Sequence, residues 1–154
     1  MAAPTLQQEI RKAQAFDLPQ EEAYLNLRRT LSVLERPFND LFKHHGLSEA
    51  TYNVLRILRG HGKRGVHAHS IGPMMVSRLP DVTRLVDRLV SRGLAERERS
   101  EEDRRVVTVR ITREGSALLR RLDRPTADLH RRQFAALSDA ELTRLNRLLE
   151  KARP

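Results

Sequence analysis

Residues 77–111, SRLPDVTRLVDRLVSRGLAERERSEEDRRVVTVRI, constrain this chain more than any other stretch. Val82, Leu85, Val86, Leu89 and Val90 recur at i, i+3, i+4, i+7 and i+8, the period of a helix that buries one face. The opposite face carries Asp81, Thr83, Arg84, Asp87, Arg88 and Ser91. The spacing predicts a helix over about 80–92, opened by Pro80 and stopped by Gly93. Residues 94–99, LAERER, then alternate as a strand. SEEDRR makes a hairpin tip, and Val106, Val107, Val109 and Ile111 supply a β-branched return strand. Such a unit needs a small core behind the helix and leaves a polar, arginine-bearing face outward.

The residues just upstream supply that core. Ser48 is placed to cap a helix over roughly 49–60, with Val54, Leu55, Leu58 and Ile57 on its apolar face. GHGKRGVHAH at 60–69 reads as a Gly- and Lys-rich turn followed by a short extended piece. Ser70 is expected to cap a brief helix through Val76, with Pro73 in its first turn and Ile71, Met74 and Met75 inward. Two helices joined by a short turn, the second with an exposed arginine face, meet the helix-turn-helix description, and the strand pair after them occupies the place of a wing.

Long helical segments flank this unit. The first 16 residues are polar and expected to be partly helical from Thr5. Asp17-Leu18-Pro19-Gln20-Glu21 opens a longer helix, with Asp17 as the expected cap, running to about His45 before Gly46. Leu27, Leu31, Leu34, Phe38 and Leu41 step along it as a heptad-type seam, interrupted by Pro37, where a kink is expected. Thr112 caps a second long helix, expected to reach about Ala136, with Leu118, Leu119, Leu122 and Leu129 inward and Pro125 inside. SDAE at 138–141 is a capping box, and Leu142, Leu145, Leu148 and Leu149 form a stripe beyond it. A lone seam fits intrachain packing as well as a partner. Seams at both ends favour a two-fold dimer, the form in which helix-turn-helix proteins read paired half-sites.

Composition narrows the partner. Lys and Arg number 29 against 20 Asp and Glu, a net charge of +9, and Arg far outnumbers Lys. Guanidinium forks match phosphates and guanine edges, so a nucleic acid comes first. With no Trp, four Phe and two Tyr, the chain is poor in stacking platforms for single strands and in the aromatics of a membrane-surface helix. No cysteine means no disulfide, thiolate zinc site or thiol sensor. The N-terminal residues lack a secretory core and no apolar run approaches a membrane span, which gives a cytoplasmic expectation with no membrane partner. No GxSxG, HExxH or phosphate-cradling glycine loop is present, so an enzyme is not expected. His61, His67 and His69 lack the spacing of a ligand set, so neither metal nor cofactor is expected. The competing class is an architectural protein that binds DNA without regard to sequence.

DRRVVTVRITREG at 103–115 resembles the wing signature of the MarR family of transcriptional regulators, with Asp103 and Arg105 at its two signature positions. PDVTRLVDRLVSRGL at 80–94 resembles that family's recognition helix, and GLSEATYNVLRIL at 46–58 the segment entering its winged region. Gly72-Pro73 departs from the family, which more often has helix-favouring residues there. The resemblance covers nearly the whole chain. It implies a mainly α fold with a small β-wing: a single MarR-type domain over 1–154, a winged helix-turn-helix at 48–112, and dimerisation helices at 5–46 and 113–154. It further implies a homodimeric repressor on a pseudo-palindromic operator, answering to a small phenolic or lipophilic effector held between the dimer helices and the reader. The absence of cysteine excludes thiol oxidation as the trigger.

On this reading Arg84 and Arg88, one turn apart, reach for bases, since Arg pairs with guanine O6 and N7. Thr83 meets a thymine methyl or a phosphate, and Arg78 the backbone. Asp81 and Asp87 sit awkwardly on a polyanion-facing helix. Each would accept from a cytosine amino group or orient a neighbouring arginine, and for Asp87 the favoured partners are Arg84 and Arg88. At the hairpin tip Arg104 and Arg105 are expected in the minor groove, where narrow A·T-rich tracts attract Arg. The resemblance singles out Arg105 for that contact and Asp103 as its brace.

Overall fold

The computed structural model describes residues 4–77, 81–100, 103 and 106–153. In chain order the helices are α1 (Leu6–Glu9), α2 (Pro19–His44), α3 (Glu49–His61), α4 (Ala68–Met74), α5 (Val82–Ser91), α6 (Arg113–Gln133) and α7 (Asp139–Lys151). The strands are β1 (Val66–His67), β2 (Ala95–Arg99) and β3 (Val107–Ile111). They make one antiparallel sheet in the order β1-β3-β2, with Val66 opposite Val109 and Arg97 opposite Val109 on the other side. The fold is therefore mainly helical with a small β-wing. The short extended piece after the Gly-rich turn is a third strand of that wing, recruited across the sheet by pairing with β3.

One apolar cluster joins these elements. Val54, Leu55 and Leu58 of α3, Ile71 of α4, Leu89 of α5, Val109 of β3 and Leu119 and Leu122 of α6 are all 0% exposed. Phe42 and Leu47 carry the cluster to the end of α2. Shortening any of these leucines to alanine should cost about 2–5 kcal/mol. The i, i+3, i+4 pattern read from the sequence is thus the face that packs: Val86 and Leu89 are buried, and Val82, Leu85 and Val90 lean on the same cluster.

Local signals set most boundaries. Ser48 and Ser138 each close a capping box. Helices α2 and α5 end alike. Gly46 (φ +67°) and Gly93 (φ +67°) adopt the left-handed conformation that glycine takes without a Cβ penalty. The next residues, Leu47 and Leu94, donate back to the carbonyls of Phe42 and Leu89 at 2.9 Å, which makes each end a Schellman motif with a buried apolar residue after the glycine.

Several expectations need correction. Leu18, not Asp17, is the N-cap of α2, with no side-chain bond, and Pro19 follows at the start of the helix, where its fixed φ suits the first turn. Helix α4 starts at Ala68 with His67 at its cap, so Ser70 lies inside it and Pro73 near its end. Met74 is 44% exposed while Met75 is buried, because the helix stops at Met74 and the chain turns extended. Strand β3 begins at Val107 rather than Val106, and α6 ends at Gln133. The predicted opening at Pro80 lies outside the described residues. Pro37 and Pro125 lie inside α2 and α6, as their positions in the sequence led one to expect.

Candidate nucleic-acid interface

The outward face of α5 is built by its N-cap and by the strand behind it. Asp81 caps the helix, its Oδ1 accepting from the Arg84 N–H at 3.0 Å, and its other oxygen lies 3.5 Å from Arg84 Nε. The side chain of Arg84 remains 85% exposed, so this carboxylate steers the guanidinium without withdrawing it from solvent. Thr83 and Arg88 are exposed on the same side. A cap that also partners the first arginine accounts for an acid on a basic face.

Asp87 behaves differently from expectation. Its carboxylate pairs with Arg97 Nη1 of β2 at 2.6 Å rather than with Arg84 or Arg88. Arg97 Nη2 also reaches the Thr83 carbonyl at 3.4 Å. One arginine of the wing strand therefore holds two points of the helix. Periodicity along α5 cannot reveal that partner, because it comes from another element. Further along the sheet, Arg110 bonds Glu98 and donates through Nε to the Lys63 carbonyl at 3.0 Å, fastening the wing to the turn before β1. At the hairpin, the Asp103 N–H donates to Ser100 Oγ at 3.3 Å, and the Asp103 carbonyl accepts from Val106 at 2.9 Å. Arg78, Arg104 and Arg105 lie outside the described residues.

A family model described as "MarR family" matches residues 47–107, the span from the end of α2 to the start of β3. A MarR transcription factor from Planctomyces limnophilus is 40% identical, covering 90% of this chain and all of that one, with a TM-score of 0.69. The chain belongs to the MarR family. A mutant MarR from E. coli solved in complex with operator DNA is 27% identical and superposes with a TM-score of 0.76 over 90% of this chain and the whole of that one. The "HTH-type transcriptional repressor IacR" of Pseudomonas putida is 34% identical over 110 residues, which span 71% of this chain and 65% of that repressor. Members of this family are non-enzymatic regulators, in keeping with the absence of catalytic motifs.

Behind the reader of this MarR-family chain lies a cavity of about 530 Å³ between α2, α3, the residues after α4, and α6. Its wall is aromatic. Phe42 stacks on Tyr52 with centroids 4.2 Å apart, and Phe38 lies 4.7 Å from the His130 ring and 6.0 Å from Phe42. Arg56 and Glu49 supply charge on the α3 side. Burial, with the charge of Glu35 adding to it, raises the Glu49 carboxyl above its usual range. Thr126 of α6 is 5% exposed, and its hydroxyl has no hydrogen-bond partner among the described residues. The sequence flagged none of these as a set, since they come from three helices and share no spacing. Among the described residues no three His, Asp or Glu side chains group as a metal site, and no helix is long and apolar enough to cross a membrane.

Proposed function

We propose that this chain is a sequence-specific double-stranded DNA-binding transcriptional regulator that represses as a homodimer on a pseudo-palindromic operator. The observation that carries the reading is the outward face of α5, where Arg84 stays exposed beside its capping Asp81 while the opposite face is sealed in the core. A helix so mounted fits the major groove, with Arg84 and Arg88 as base readers and Thr83 beside them. Arg78 takes a backbone phosphate, and Arg104 and Arg105 of the wing take the minor groove with Asp103 as their brace. Residues 48–112 form the reading unit, and 5–46 with 113–154 the dimerisation region. Tyr24, Leu27, Leu31 and Val33 of α2 and Leu148 of α7 are 47–59% exposed, more apolar surface than a solitary helix pair leaves to water without reason.

The effector is a small phenolic or otherwise lipophilic molecule, and the cavity between α2, α3 and α6 is its site. Its volume lies in the range of small-ligand pockets, and its aromatic wall, with Arg56, Glu49 and the Thr126 hydroxyl, has the make-up of one. A ligand there acts by preferring the spacing of the two readers that does not fit the operator. Footprinting on DNA flanking the chain's own gene, with and without a panel of phenols, tests the reading. A protected palindrome that the phenols release is the expected result. Binding with a steep salt dependence and no footprint would instead identify a sequence-independent architectural protein.

A further inference from the structure

The C-terminal turn of the recognition helix is gripped from two sides. Arg92, its cap residue, reaches across to the end of α2, where Nη1 donates to the Gly46 carbonyl and Nη2 to the His45 carbonyl at 3.1 Å. Carbonyls at a helix C-terminus lack intrahelical partners and sit at the negative pole of the dipole, so a cation is the fitting group there. Gly46 permits the approach: a Cβ at that position would stand 2.9 Å from Arg92 Nη2. From the other side, α6 holds the following residues. The Thr112 hydroxyl donates to the Gly93 carbonyl at 2.7 Å, and the Thr112 N–H to the Leu94 carbonyl at 3.1 Å.

Helix α2 also forms a wall of the cavity through Phe38 and Phe42, within two turns of the carbonyls that Arg92 holds. A movement of α2 therefore arrives at the recognition helix through the guanidinium. Arginine suits the task because its planar fork spans two successive carbonyls, whereas a lysine ammonium would meet them as a point charge.

We propose that Arg92 is a positioning residue for DNA reading: it fixes the angle between α2 and α5, and through it the separation of the two recognition helices, without touching DNA. The proposal rests on the homodimeric reading above.

The chain has no cysteine, so Glu96→Cys, on the exposed side of β2, places one spin label on each reader of the dimer. Label-to-label distances would be measured without DNA in this background and with Arg92→Ala or Arg92→Lys added. Operator affinity would be followed across a salt series in parallel. Arg92→Ala should broaden the distance distribution and weaken operator binding roughly tenfold, in the range of coupling mutations, with the salt slope unchanged. Arg92→Lys, which keeps charge and bulk, should fall between, and serves if the alanine variant folds poorly. An unchanged distance distribution in both variants would overturn the proposal. So would a salt slope reduced by about one, which marks a lost phosphate contact. Absence of any dipolar signal would overturn the dimer itself, and the proposal with it.

Discussion

Asp87 of helix α5 and Arg97 of strand β2 face each other at 2.6 Å, so the helix and the wing strand are joined by an ion pair on the helix's outward face. Removing a carboxylate from a basic face should, by charge alone, strengthen binding to a polyanion. The geometry predicts the reverse. Asp87→Asn releases Arg97, which also holds the Thr83 carbonyl, and the helix loses a restraint at two points. Operator affinity should fall, while binding to random DNA should hold or rise. A double-mutant cycle with Arg97→Ala should show coupling of about 0.5–1 kcal/mol in operator binding, the upper range for partly exposed pairs. Tighter operator binding by Asp87→Asn would leave the pair without a positioning role.

Gly115 is fixed by contact rather than by backbone conformation. A Cβ there would lie 2.2 Å from the Leu94 carbonyl oxygen and 2.9 Å from Ile111 Cγ1. This is the glycine in the stretch 103–115, and its role is to let the first turn of α6 rest on the end of the recognition helix. Gly115→Ala, normally a gain in a helix, should here destabilise by about 1–3 kcal/mol as the two segments are pushed apart. Urea unfolding at fixed protein concentration measures it. A stability equal to or above the parent would contradict the contact.

What the sequence disclosed and what it hid divide along physical lines. Helix faces, caps and glycine stops are short-range, so the buried face of α5, the cap at Ser48, the capping box at Ser138 and the ends at Gly46 and Gly93 could be read directly. The wing's third strand was legible only as a short extended piece, without its place in the sheet. Its two residues, Val66 and His67, are strand only because β3 lies beside them. The same limit applies to the site. Thr83, Arg84 and Arg88 were legible as an exposed face because periodicity assigns faces. Arg92 and Arg97 were not singled out, since what distinguishes them is a partner supplied by another element. Met74 misled for a related reason: α4 stops there instead of running through Val76, and Met75, in extended backbone, is the residue that enters the core.

Arg59 and Asp123 tie α3 to α6 through two parallel hydrogen bonds of 2.9 and 2.8 Å. The Arg59 hydrogen bond holds the Asp123 carboxyl below its ordinary range. An acid whose folded-state pKa is depressed stabilises the fold above its unfolded pKa, about 3.9 for Asp, and loses that contribution as pH falls through the folded value. The side chains are 34% and 47% exposed, so solvent screening limits the effect to about 0.2–1 kcal/mol. Unfolding free energy of Asp123→Asn should therefore fall below the parent's near neutrality and converge with it in acid below pH 4. Curves that stay parallel across that range would remove the pair from the acid response.

Thr126 offers a test in which a deletion should help. Its hydroxyl is buried against the cavity with no partner among the described residues, and leaving such a group unsatisfied costs about 1–3 kcal/mol. Thr126→Val keeps the branched shape and removes the polar atom. Replacing a satisfied buried hydroxyl in this way normally destabilises, whereas here the ligand-free protein should hold its stability or gain up to about 1 kcal/mol. Denaturant unfolding at matched concentration reads the sign. If the cavity takes a phenol whose oxygen meets this hydroxyl, the same variant should bind that phenol more weakly, while its affinity for the operator stays at the parent's value. Stability and response would then move in opposite directions from one substitution, the mark of a group kept for the ligand rather than for the fold. A loss of more than about 1 kcal/mol in the ligand-free variant would show instead that the hydroxyl is satisfied in solution and that the cavity owes its shape to it.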